Sequence, residues 1–563
     1  MATVQDTLYT FPLAPSADAV EWDGAPIGRS NVTTRTRSRT LVHDKTVDKT
    51  PGRREHLVNA AIAHIVCNAG REPIGLHDVV IHGIRVRAIT NSRHLMEFWQ
   101  QNWYTPEEWH FVTGIAAPVE PQILVYALGG VEGEAEAAYY SRQTNTIVFF
   151  NTSYYGQLKS WVLGAVGRVL AADYGIHSIH GACVERHGNG VLYIAPTGTG
   201  KSTSSYGLVD YPGTRFHSDD WVYIRYARVT KDGQRLLPVE IQSADGTVLR
   251  GYRCNRWFEQ AVASPAEVSG VARCFDLQNR EVTVDLTDFD LQHPAEAYAY
   301  TSEKVFYLRS NLVENFPEAT DAILRSHLEN VPSASAAFLE SHRSTVDAVT
   351  SEILRSDNPG IRQRLTNLPP DQLRSLVASL FAFDNARAML DIGEVLDQEH
   401  IFTNPMEPTR LTTIFLLKRD PSDSTVLQVL SLDHFMERLL IGQTPDGKRE
   451  VAYNAYRAVD DTVEKRAIEQ LEAESKESDA PIYELFQKAQ DLPESLHEEF
   501  ELFREMHRAA LCYDCNTILQ KDPQISSKKE AVRLTLQLIL RGIENRDNNF
   551  HLTLSNYRTQ IRG

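Results

Sequence analysis

The feature that most constrains this chain is the segment Ala195-Pro196-Thr197-Gly198-Thr199-Gly200-Lys201-Ser202-Thr203. It follows the apolar run Val191–Ile194 and opens a stretch of helical pattern. A strand, a glycine-rich turn, Lys-Ser and a helix form the context that a phosphate-binding loop requires. Gly198 and Gly200 let backbone N–H groups approach a phosphate with no Cβ in the way. Lys201 has the reach for β- and γ-phosphates, and Ser202 has a hydroxyl for Mg²⁺. The helix adds the partial positive charge of its N-terminus. Pro196, Thr197, Gly198, Thr199, Gly200, Lys201, Ser202 and Thr203 are therefore the candidate nucleotide-binding residues. ATP with Mg²⁺ or Mn²⁺ is the expected cofactor pair. Ala195 stands where the usual pattern has its first glycine.

Phe216-His-Ser-Asp219-Asp220-Trp221 begins fifteen residues beyond Lys201. A strand, a helix and a return strand would carry Asp219 and Asp220 to the strand ends beside the loop. There one carboxylate can hold a metal and the other can accept a proton from an attacking hydroxyl. Upstream, Ser178–Glu185 and Val191–Ala195 read as two strands joined through Arg186-His-Gly-Asn-Gly190, since Asn-Gly is a strong hairpin signal. If the turn closes near Gly188–Asn189, residue 182 lies opposite 195 and His180 sits beside the start of the loop. A ring there could contact phosphate, ligate metal or orient a carboxylate. The candidate metal set is thus Ser202, Asp219, Asp220 and His180. His177, His187 and His217 have no comparable argument.

The chain is 563 residues long with a formal charge of −17, which argues against nucleic acid or an anionic membrane as the main partner. The start lacks a basic and an apolar signal region, and no apolar run approaches the ~20 residues of a membrane span. Six cysteines in so long a chain make no disulfide framework. The cytoplasm is the expected compartment, and Cys512 and Cys515 read as two thiols of the core rather than a metal or redox pair.

Along the chain, 1–56 is expected as an extended or flexible arm and 57–150 as an N-terminal α/β domain. The phosphotransferase core is expected over 151–310, a helical insertion over 311–400, and a C-terminal part completing the nucleotide-binding domain over 401–563. In the N-terminal domain, Val79–Val86, Ile123–Leu128 and Ile147–Phe150 read as strands, and Glu55–Asn68 and Ser92–Trp103 as helices. Tyr155–Tyr174 carries apolar residues at helical spacing. Leu411–Leu417 reads as a buried strand, 460–510 as acidic amphipathic helix, and Ala531–Arg541 as a closing helix. No repeat is visible.

Together these residues resemble the phosphoenolpyruvate carboxykinase and HPr kinase/phosphorylase superfamily. Its phosphate loop, GxSGxGK[ST], is here APTGTGKST; its acidic motif is here His217-Ser-Asp-Asp-Trp221; its histidine strand is here Ser178-Ile-His-Gly-Ala-Cys183. Tyr154-Tyr-Gly-Gln-Leu-Lys-Ser160 looks like the carboxykinase segment YxGEMKK. Arg410, Leu411–Leu417 and Phe435–Thr444 look like its NTR segment, strand and FLSGYT stretch, and Cys515-Asn-Thr517 like its Asn-Thr-Gly element. The resemblance spans roughly 150–540. It implies a mixed, twisted α/β sheet with a carboxykinase-like nucleotide-binding core, Lys201 on the β/γ phosphates and Ser202 on Mg²⁺. It further implies Asp219 or Asp220 on metal or as base, His180 beside the metal, Lys159 lining the acceptor site and Arg410 on the γ-phosphate. The chain departs from the family at Ser160, where carboxykinases have a metal-binding Lys, and in lacking a clear GRSPKDK segment.

The leading expectation is a kinase with Lys201, Asp219, Asp220, His180 and Arg410 as its catalytic set. It would move the γ-phosphoryl of ATP to a hydroxyl on a small molecule or a protein Ser. Lys159, Arg253 and Arg309 are candidate acceptor-binding residues. An ATP-dependent carboxykinase acting on oxaloacetate and a non-catalytic ATP-binding sensor or scaffold are the alternatives. The acceptor is not named by the sequence, and an oligomer is compatible with it.

Overall fold

The computed structural model describes residues 32–33, 42–44, 48, 50–71, 74–135, 137–151, 155–195, 199–209, 211–302, 304–308, 336–341, 343–355, 367–382, 387–391, 398–440, 461–489, 492 and 494–561. The protein is mixed α/β, with parallel and antiparallel pairings inside its larger sheets. Two compact units form: Met1–Val166 with Glu303–Gln398 and Tyr456–Asp460, and Gly167–Ser302 with Glu399–Ala455 and Asp461–Gly563. No helix among the described residues is long and apolar enough to cross a membrane. Most of the expected N-terminal arm lies outside the described residues.

The first unit is built on a six-stranded sheet in the order Val42–Asp44, Ala137–Ser141, Thr146–Phe150, Ile123–Leu128, Ile84–Thr90, Gly75–Ile81. The run Val79–Val86, expected as one strand, is instead a hairpin. His82 and Gly83 both have positive φ (47° and 83°), the backbone a type I′ turn needs, and Ile81 pairs with Ile84. Helix Arg53–Asn68 buries Leu57, Ala61 and Ile65 in a cluster with Ile89, Tyr126 and Val148. Helix Arg93–Asn102 starts at Ser92, whose side chain accepts from the Leu95 N–H. The described part of 311–400 holds helices Ala336–Ser341, Arg343–Arg355 and Pro370–Ala382. Strand Arg387–Asp391 pairs with Val305–Leu308. The Pro369-Pro370 break is the start of the third of these helices, where a proline loses no helical hydrogen bond.

In the second unit the sheet runs Thr214–Ser218, Gly181–Arg186, Asn189–Ile194, Thr409–Lys418, Leu511–Asn516, Thr425–Val429, His551–Thr553. A second branch carries Val222–Val229, Glu296–Tyr300, Arg235–Ser243 and Gly270–Asp276. Asn189–Ile194, Thr409–Lys418 and Leu511–Asn516 are parallel neighbours. Their shared register stacks Tyr193, Phe415 and Tyr513 across the sheet at centroid spacings of 5.6 and 5.2 Å. The opposite face is sealed by residues of Leu432–Leu440, Ile482–Lys488 and Glu494–Ala509, including Phe435, Phe486, Phe500 and Phe503.

The helix expected over Tyr155–Tyr174 is α-helical to Val169. It then widens into one π-helical turn, Leu170–Tyr174, closed by Gly175 at φ 65°. Gly251 docks on that turn. Its φ is +59°, and a Cβ there would lie 2.1 Å from the Ala172 carbonyl oxygen. The next residue, Tyr252, donates its N–H to the Ala171 carbonyl at 3.2 Å. Gly251→Ala is therefore expected to cost roughly 2–5 kcal/mol, combining the left-handed penalty with the clash. A thermal melt checks this; an unchanged midpoint would mean that the turn relaxes without loss.

Candidate phosphate site

The hairpin over 181–194 closes one residue earlier than the Gly188–Asn189 position expected. Arg186 pairs with Asn189, and His187 and Gly188 form the turn with φ of 48° and 78°. Two contacts explain the choice. The His187 N–H donates to the Gly213 carbonyl at 2.8 Å, which pins the tip. Gly190 is needed inside the strand, since a Cβ there would come within 2.9 Å of the Arg410 carbonyl oxygen. Residue 182 consequently faces 193, not 195, and the pairing ends with Gly181 opposite Ile194. His180 is the next residue on its strand, at the level of Ala195.

A second topological event brings the acids to it. Gly181–Arg186 pairs with Thr214–Ser218, whereas His177–Ile179 pairs with Val222–Ile224. Both chains thus change partners at one place. His180 is the bend of one, and Asp219-Asp220-Trp221 the corner of the other. The Trp221 indole N–H donates to Ser178 Oγ and fixes that corner.

Helix Lys201–Val209 begins beside this corner. Lys201 Nζ lies 2.9 Å from His180 Nε2 and 3.7 Å from Asp220 Oδ1; His180 Nε2 lies 3.2 Å from Asp220 Oδ1. All three side chains are largely buried. His180 Nε2 can serve only one neighbour at a time. Unprotonated, it accepts from Lys201; protonated, it donates to Asp220. Asp219 is 3% exposed. Ser202 Oγ, in a residue 5% exposed, has no hydrogen-bond partner among the described residues.

The other wall comes from the C-terminal strands. Thr517 Oγ1 lies 2.9 Å from the Thr199 carbonyl oxygen, to which it can donate, and 3.1 Å from that of Lys418. The Thr517 N–H donates to the Lys418 carbonyl at 2.8 Å. Gly200 has φ of +106°, which L side chains rarely adopt. Beneath lies an ionic cluster built on the buried pair Lys418 and Asp514. Lys418 Nζ is 2.6 Å from both Asp514 Oδ2 and Asp423 Oδ2, and Arg438 Nε is 3.1 Å from Asp514 Oδ1. The carboxyl ends of the parallel strands thus converge on residues 199–202, the place where open α/β sheets bind ligands.

His217, on the return strand, is fully buried, and burial lowers its pKa from 6.5 to about 3. The folded state keeps it neutral while the unfolded chain takes up a proton below pH 6.5. Its contribution is therefore complete at pH 7 and is lost as the pH falls from 6.5 towards 3, by at most about 1.4 kcal/mol per pH unit. His217→Phe is expected to flatten the dependence of the urea midpoint on pH in that window by up to one proton. Parallel curves for the two proteins would refute this.

The remaining predicted residues fall elsewhere. Arg410 is corrected by the strand register. Gly190 pairs with Leu411 and Ile194 with Leu416, so Arg410 lies at the amino end of its strand, away from residues 199–202. It is half exposed and pairs with Glu296 at 3.2 Å. Arg253 is exposed beside Tyr252, on a helix that packs against Arg235–Ser243 and Glu494–Ala509. Lys159 is buried on helix Tyr155–Val169, in the first unit. Pro196, Thr197, Gly198 and Arg309 lie outside the described residues, and Thr203 is half-buried on the helix. Cys512 and Cys515 are buried free thiols, and burial pushes Cys515 up to about 12.

Among the described residues no group of three or more His, Cys, Asp or Glu forms a metal cluster. Magnesium beside a nucleotide is commonly held by one or two protein oxygens together with phosphate. The buried hydroxyl of Ser202 and the carboxylate of Asp219 have the donor chemistry for that. Sequence reasoning missed Arg419, which follows the central strand, and it used Thr517 only as part of a weak motif echo. No protein-family model matches the chain, and no curated protein matches it.

Proposed function

We propose that this protein is an ATP- and Mg²⁺-dependent phosphotransferase, similar to the phosphoenolpyruvate carboxykinase and HPr kinase superfamily. The observation that carries the reading is the meeting of Lys201, His180 and Asp220 where the glycine-rich segment enters its helix. Lys201 takes the β- and γ-phosphates, which draws it from His180 and leaves Nε2 to Asp220. Ser202 and Asp219 are the residues to hold Mg²⁺, which would neutralise phosphate charge. The acceptor hydroxyl attacks the γ-phosphorus, its proton passes to Asp220, and the bond to the β-phosphate oxygen breaks to release ADP. Positioning and charge stabilisation supply most of the rate.

The test is ADP formation from ATP·Mg²⁺ by the purified protein and by Asp220→Asn, each with and without oxaloacetate. Turnover indifferent to oxaloacetate and lost in Asp220→Asn supports the kinase and calls for a screen of metabolites and peptides. Oxaloacetate-dependent ADP and CO₂ would make it a carboxykinase instead. Tight ATP binding with no turnover in the presence of that screen would leave a sensor or scaffold, and absence of ATP binding would end the nucleotide reading.

A further inference from the structure

Every cation in the cluster beneath the site has a carboxylate partner except one. Lys418 is paired with Asp423 and Asp514, and Arg438 with Asp514. Arg419, one residue beyond the central strand, has no ion pair among the described residues. Its Nε donates a hydrogen bond to Thr517 Oγ1 at 3.3 Å. The acid next to it does not help. Asp420 Oδ1 accepts from the Ser422 N–H and Oγ at 2.9 and 2.6 Å, within its own turn. Burial lowers the pKa of Arg419, with no opposing contribution from an acid. A half-buried guanidinium without a counter-charge is unfavourable by itself. It carries five N–H donors in a planar fork suited to phosphate oxygens.

The position is as telling as the charge. Thr517 Oγ1, which accepts from Arg419, is the same atom that reaches the Thr199 carbonyl. Arg419 is thus one side chain removed from the backbone that precedes Gly200 and Lys201. It sits at the carboxyl end of the strand whose amino end holds Arg410.

We infer that Arg419 is a second cation for the polyphosphate chain of the bound nucleotide, approaching it from the Thr517 side of the segment that Lys201 ends. This rests on the nucleotide reading above. Thr517 holds the guanidinium through Nε, which leaves the two terminal nitrogens for phosphate oxygens.

The test is calorimetric binding of ATP and of inorganic tripolyphosphate to the wild type, Arg419→Gln and Arg419→Lys, with melting curves as the folding control. Arg419→Gln is expected to weaken both ligands by a similar factor, roughly 10- to 100-fold, with Arg419→Lys between it and wild type. Equal affinities in wild type and both variants would overturn the assignment while leaving the nucleotide reading intact. Loss for ATP with tripolyphosphate unchanged would also overturn it, since that pattern belongs to a base contact. A wild type that binds neither ligand would overturn the nucleotide reading and this one with it.

Discussion

Lys201→Ala is expected to lower ADP formation from ATP·Mg²⁺ by about 10²–10³-fold, the usual effect of removing one preorganised group that meets developing charge. The side chain is buried and already points at His180 and Asp220. Its ammonium is therefore already held at the site before phosphate arrives. Lys201→Arg separates charge from shape, because a planar guanidinium does not fit the gap between an imidazole and a carboxylate. The measurement is steady-state ADP release, with circular dichroism to establish that each variant is folded. Full activity in a folded Lys201→Ala protein would remove the mechanism proposed here. Activity lost together with the fold would instead give Lys201 a structural role, as the cation that neutralises Asp220.

Asp514→Ala has the largest expected effect on stability. The carboxylate is 2% exposed and holds Lys418 through one oxygen and Arg438 through the other. Removing it leaves Lys418 with Asp423 alone and Arg438 without this partner. Breaking a buried ion pair from one side costs about 3–5 kcal/mol, or a fall of roughly 6–20 °C in Tm. The damage should reach the site, because the Lys418 carbonyl receives the Thr517 N–H and the next residue is Arg419. A melt and an ATP titration on the same variant check both. An unchanged Tm would show that the ionic cluster contributes no net stability; a lowered Tm with unchanged ATP affinity would separate the cluster from the site.

Local pattern made much of this molecule legible. Ile123–Leu128 was readable as a strand, and the helix Arg53–Asn68 to within two residues. The meeting of His180 with Asp220 was approachable from sequence because both flank short strands around one glycine-rich segment. What misled was punctuation. Two His-Gly pairs, 82–83 and 187–188, form the tight turns, although Asn189-Gly190 is the stronger signal by composition. His187 wins because the tip is held by Gly213, 26 residues downstream, and because Gly190 is used where strands pack closely. Neither partner is visible in the local sequence.

By itself, the sequence determined the order of strands and helices around residues 189–209, the polar and charged residue types that flank the glycine-rich segment, and the absence of a disulfide framework. These follow from short-range chemistry: periodicity, backbone freedom at glycine, side-chain length. Only the tertiary structure decided which groups meet. Arg410 and Arg419 both flank the strand Thr409–Lys418, and the sequence does not say which end faces the glycine-rich segment. The parallel pairing of that strand with Asn189–Ile194 decides it, sending Arg419 towards the site and Arg410 to Glu296. Strand direction and register are set by non-local pairing and burial, so a residue's distance along the chain does not tell what it touches.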